Sequence, residues 1–82
     1  MKKVAIYTTP SCHYCKMAKS FFQEKGISYE EYNVASDAVK RQEMIDKSGQ
    51  MGVPVIEITN DDGTQDHVIG FDERGLANAL GV

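Results

Sequence analysis

The chain has two cysteines, and both fall within residues 8–17, where only His13 and Tyr14 separate Cys12 from Cys15. Two thiols at that spacing have three uses: half of a metal site, a structural staple, or a dithiol that opens and closes during a reaction. A structural zinc ion ordinarily takes four ligands, and the remaining candidates are His13 and His67. His13 is caught between the cysteines and badly placed to share their ion. His67 falls beside a turn rather than in a ligand pair. A lasting staple needs an oxidising compartment. The apolar run after Lys2 and Lys3 is too short for a secretory leader, and no window approaches the ~18 apolar residues of a membrane span. A cytoplasmic protein is therefore expected, which weakens the staple. The redox dithiol is favoured, with zinc left as the less supported alternative.

The rest of the chain must position those thiols. At 82 residues a single domain over 1–82 is expected, and 41% apolar with 26% charged residues marks a globular protein rather than a disordered one. The net charge is −3, with lysine and arginine scattered. Binding to nucleic acid or to an anionic membrane rests on concentrated positive charge, so neither partner is expected.

Val4-Ala5-Ile6-Tyr7 is a short apolar run closed by Thr8-Thr9-Pro10, the pattern of a buried strand. From Tyr14 the apolar residues Met17, Ala18, Phe21 and Phe22 recur at helical spacing, and Gly26 stops the run. Residues 27–34 are rich in aromatic and β-branched side chains and read as a second strand. Residues 36–49 read as a helix, with Asp37 near its start, Lys47 near its end and Gly49 as terminator. Residues 53–59 are strand-like with Pro54 at the mouth, where a missing N–H is tolerable. Asn60-Asp61-Asp62-Gly63 is a turn, and residues 66–70 form the returning strand of a hairpin. Asp72 can cap a last helix running to about Leu80, with Phe71 and Leu76 as a hydrophobic staple. Gly75 costs that helix ~1 kcal/mol relative to Ala. The order is β-α-β-α-β-β-α, an α/β fold with a four-stranded mixed sheet flanked by helices.

Cys12 then sits where the first strand turns into the first helix, and Cys15 lies about one turn inside it. The free N–H groups of a first helical turn and the helix dipole both favour negative charge at the cap. Thiols in comparable Cys-x-x-Cys pairs have pKa values of roughly 3.5 to 7, against ~8.5 for a free thiol. Cys12 is expected to attack a disulfide as thiolate, and the more enclosed Cys15 to resolve the mixed disulfide. Lys16 and Lys19 add positive potential nearby.

Three segments together, "YTTPSCHYCKMAKSFF" (7–22), "GVPVIEI" (52–58) and "VIGFDERGL" (68–76), resemble the glutaredoxins and related short redoxins of the thioredoxin superfamily. The resemblance implies a thioredoxin-like fold and a thiol–disulfide oxidoreductase. It implies a cis Val53-Pro54 bond facing the dithiol, with the Val53 backbone binding extended peptide or glutathione in sheet fashion. It places Tyr14 and Met51 at the groove and lays the γ-glutamyl carboxylate at Gly70-Phe71-Asp72, a helix start. Glutathione is the implied co-substrate, with no tightly bound cofactor and no metal. Disulfide-containing or glutathionylated proteins are the implied targets, and the protein is expected to be a monomer.

The chain departs from the family pattern in three places. His13 stands where a proline is usual, restoring an N–H and adding a group that titrates near neutrality; protonated, it would favour a Cys12 thiolate. Thr9 replaces a frequent lysine, and Met51, with Gln50 beside it, replaces a frequent basic residue. The glycyl carboxylate of glutathione is thus left with Lys16 or Lys47 as the cations in reach. Gly70-Phe71 and the threonines before Cys12 also resemble ribonucleotide-reductase-linked redoxins reduced by thioredoxin reductase, which is the alternative reading. Bridging an iron–sulfur cluster is a non-catalytic alternative, more typical of single-cysteine relatives.

Overall fold

Alternation along the central strands explains why helices cover both faces of one sheet. In the computed structural model, which describes residues 2–81, β1 (Lys3–Thr8) turns Val4 and Ile6 to one face and Tyr7 to the other, all nearly inaccessible to solvent. Likewise β3 (Val55–Thr59) sends Ile56 and Ile58 one way and Val55 and Glu57 the other. Strands buried on both sides read as continuous apolar runs, and these two occupy the middle of a sheet ordered β2-β1-β3-β4. The outer strands are β2 (Glu30–Asn33), parallel to β1, and β4 (Gln65–Ile69), antiparallel to β3.

On the first face, α1 (His13–Glu24) and α3 (Glu73–Leu80) pack Ala18, Phe21, Phe22 and Leu76 onto Val4, Ile6, Ile56 and Ile58. Phe22 is wholly buried there, so truncation to alanine is expected to cost ~3–5 kcal/mol. On the second face α2 (Ala38–Ser48) covers Tyr7, Val34 and Val55 with Met44. Its hold is thinner, since Ile45 is half-buried and Val39 is 76% exposed.

The element order matches the sequence reading, with three differences. The second strand is shorter than residues 27–34. The Ile27 amide turns back to the Phe22 carbonyl at 2.8 Å, and Ile27 and Tyr29 pack against the first core instead of joining the ladder. Tyr14 and Met17 belong to the apolar stripe of α1 by spacing, yet are 58% and 38% exposed. Cys15 and Ala18 take the buried positions of that stretch, and Met17 lines a cleft with Phe21 and Phe71. Gly75 is more than a cost. A Cβ there would come within 2.7 Å of Asp72 Oδ2, and the Gly75 amide donates to Asp72 Oδ1 at 3.0 Å. The glycine clears space for the cap.

Candidate active site

Register gathers three distant segments at one end of the sheet. Tyr7 lies opposite Val55, and Val55 opposite Ile69 in the next antiparallel pair. The chain leaving β1 toward Cys12, the chain entering β3 through Val53 and Pro54, and the chain leaving β4 through Gly70, Phe71 and Asp72 therefore share that end. The Gly70 amide donates to the Pro54 carbonyl at 2.9 Å, and the Phe71 ring stands 6.3 Å from that of Phe21 on α1. The Val53–Pro54 bond is cis. Pro54 is buried and Val53 half-buried, and Val53 has no main-chain hydrogen-bond partner among the described residues.

Cys12 occupies the N-cap of α1 in extended backbone, a position usually taken by Ser, Thr, Asp or Asn. Its sulfur accepts from the Cys15 amide at 3.1 Å. The two cysteines form a disulfide with their Cα atoms 5.2 Å apart. Cys15 is 1% exposed, whereas Cys12 is only partly covered, so Cys12 is the sulfur an incoming molecule reaches first. The first turn of α1 contains no acidic residue to compete with an anion at the cap.

The approach to the dithiol is pinned by Lys19 together with two residues the sequence reading did not single out, Thr8 and Glu31. Thr8, 2% exposed, donates to Glu31 Oε2 at 3.0 Å, and Lys19 of α1 meets the same oxygen at 2.8 Å. Lys19 first, then Thr8, hold the Glu31 carboxyl below the usual carboxylate range. The link ties α1 to β1 before it and to β2 after it. Nothing local in the sequence signals it, because the partners lie 12 and 23 residues apart.

The other expected site residues fall as follows. His13 is exposed and stands edge-on to the Tyr14 ring at 5.7 Å. Lys16 is exposed, makes no ion pair among the described residues, and divides two clefts. One, of about 320 Å³, is lined by Met17, Phe21, Phe71 and Glu73; the other, of about 360 Å³, by Thr9, Pro10 and Lys19. Asp72 caps α3 from the shared end, and Phe71 is half-buried against the first core. Met51 stands in the loop before Val53, 68% exposed.

Two other residues have settled partners. Lys47, an expected cation for the groove, is drawn away to Glu43 at 3.2 Å and Glu57 at 3.3 Å. His67 faces Glu57 at 3.2 Å. No group of three or more metal-ligating side chains occurs among the described residues, and no helix there is long and apolar enough to cross a membrane.

Residues 4–62 match the family model described as Glutaredoxin. The chain is 41% identical over 81 residues to glutaredoxin 3 of Escherichia coli K12, covering 98% of both proteins. Its fold is shared by the glutaredoxin of Archaeoglobus fulgidus (TM-score 0.80, 24% identity, 98% of this chain and 87% of that one). It is shared too by the buckwheat glutaredoxin–glutathione complex (TM-score 0.69, 19% identity, 98% and 71%).

Proposed function

This chain belongs to the glutaredoxin family and is a thiol–disulfide oxidoreductase, and from that premise we propose that it is a dithiol glutaredoxin with glutathione as its reductant. The Cys12 thiolate attacks one sulfur of a target disulfide. A mixed disulfide forms, and the displaced target sulfur leaves as thiolate and takes a proton from water. Cys15 then loses its proton and attacks the Cys12 sulfur, which breaks the mixed disulfide and frees the second target thiol. Two electrons have passed to the target, and the Cys12–Cys15 disulfide is the product. One glutathione thiolate reopens it by attacking Cys12, and a second removes the first as glutathione disulfide.

The reading rests on one observation: the unpartnered Val53 backbone and the capped start of α3 lie at the same end of the sheet as Cys12. An extended γ-glutamyl peptide can pair with the first and set a carboxylate at the second. Tyr14, Met51, Pro54 and Phe71 border it, while Asp72 orders the helix start. His13 and Lys16 favour the anionic form of Cys12. The targets are disulfide-containing or glutathionylated proteins of the cytoplasm, reached by a monomer with no tightly bound cofactor.

A second reading, reduction by thioredoxin reductase, is favoured by the engagement of Lys47 with Glu43 and Glu57. With Thr9 and Met51 uncharged, it leaves Lys16 to meet the glycyl carboxylate. One experiment decides. The oxidised protein is mixed either with glutathione, glutathione reductase and NADPH or with thioredoxin reductase and NADPH, and free thiols are counted. Rapid reduction is expected in the first mixture; reduction in the second alone would overturn the glutathione reading.

A further inference from the structure

Glu57 interrupts an otherwise apolar central strand and is 8% exposed. A desolvated carboxylate costs several kcal/mol unless donors surround it, and this one has donors from two elements. Lys47 Nζ of α2 stands 3.3 Å and His67 Nε2 of β4 3.2 Å from Oε2, while Gln65 Nε2 of β4 stands 3.2 Å from Oε1. Only the Glu57 end of the Lys47 pair is buried, the Lys47 side chain being 36% exposed, and such a pair adds little net stability because desolvation and screening offset the attraction. What it does supply is direction.

That direction matters because α2 has few other holds, among them Lys40 Nζ standing 4.3 Å from the centre of the Tyr32 ring. Met44 is its one fully buried residue, with Ile45 half-buried beside it. Lys47 lies in the last turn of α2, and from there the chain runs through Gly49, Gln50, Met51 and Gly52 straight to Val53 and Pro54. Glu57 lies three residues beyond Pro54 on β3. The Lys47–Glu57 contact therefore joins the two ends of the segment that carries Val53.

We propose that Glu57 is a positioning residue for the exchange reaction: by holding Lys47 it fixes the loop that offers the Val53 backbone to an extended substrate. This rests on the groove of the proposed function and not on glutathione as reductant. The test mixes pre-reduced full-length protein with excess disulfide in single turnover, without added reductant. One substrate is a short extended peptide with one disulfide, which needs the groove. The other is 5,5′-dithiobis(2-nitrobenzoate), which needs only a reachable thiolate.

Glu57→Leu is expected to raise the half-saturating peptide concentration roughly three- to ten-fold, the range for residues acting on a site through a neighbour. The limiting rate and the reaction with the aromatic disulfide should not change. Lys47→Met should do the same, and the double variant should be no worse than either single one, as for two ends of one link. Unchanged peptide saturation in folded Glu57→Leu, or additive effects in the double variant, overturns the proposal. Should Glu57→Leu fail to fold, Lys47→Met decides alone, since it leaves Glu57 paired with His67 and Gln65. A wild-type protein that consumes the aromatic disulfide but does not saturate with peptide refutes the Val53 groove, and this inference with it.

Discussion

The amide of Cys15 donates to the sulfur of Cys12 across 3.1 Å. One hydrogen bond thereby serves two purposes, satisfying an orphan donor at the start of α1 and standing ready to hold negative charge on the outer sulfur. The bond joins the two residues that must exchange a disulfide, so the geometry that caps the helix also keeps them within reach.

Serine is among the best N-caps, so Cys12→Ser should fold as well as the reduced wild type while losing all disulfide exchange. Cys15→Ser should instead trap mixed disulfides with protein targets and keep glutathione-transfer activity. Mass spectrometry of trapped adducts and a turnover assay check both. An active Cys12→Ser would contradict the assigned nucleophile.

Gly75→Ala would normally improve a helix by ~1 kcal/mol. Here the new methyl would lie 2.7 Å from Asp72 Oδ2, so the carboxylate must swing away and weaken a cap itself worth ~1 kcal/mol. The two effects nearly cancel, and chemical denaturation should show almost no change. In an Asp72→Ala background the same substitution should stabilise by ~1 kcal/mol. Equal effects in both backgrounds would mean that the cap and the glycine are independent.

The readable and unreadable parts of the chain divide on physical lines. Cys12 at the strand–helix junction, Asp72 at a helix start and Gly49 at a helix end all follow from local pattern, and each stands where that pattern places it. Periodicity shows which side of a helix is apolar but not which of its residues the fold covers, and Tyr14 and Met17 are left exposed while Cys15 and Ala18 are buried. The Thr8–Glu31–Lys19 and Lys47–Glu57–His67 links need the tertiary fold, because their members come from separate elements. A single signal was available: an acid within the strand 53–59, which an apolar run does not call for.

Tyr7 offers a test at alkaline pH. Its phenol is pushed up to about 12, first by burial and then by Glu57 and Glu43. A folded-state pKa above the unfolded value of 10 means stability that is complete below pH 10 and lost as pH rises toward 12. Two units correspond to ~2.7 kcal/mol. Tyr7→Phe should remove most of that alkaline loss, measured by denaturation of the oxidised protein between pH 9 and about 12. An unchanged alkaline limb would show that Tyr7 does not govern it.

Thr9 and Lys16 line one cleft beside the dithiol, and this is where the glycyl carboxylate of glutathione would seek a cation. Charge-assisted hydrogen bonds contribute ~1.5–3 kcal/mol, and every 1.4 kcal/mol is about a factor of ten in affinity. Thr9→Lys should therefore lower the KM for a glutathionylated peptide by roughly ten-fold at low salt. Lys16→Gln should raise it by about two- to five-fold, the smaller effect of an exposed and screened charge. Both shifts should shrink as salt is added, because both arise from one anion meeting one cation. If neither substitution moves KM, the carboxylate lies elsewhere, and the case for thioredoxin reductase gains at the expense of glutathione.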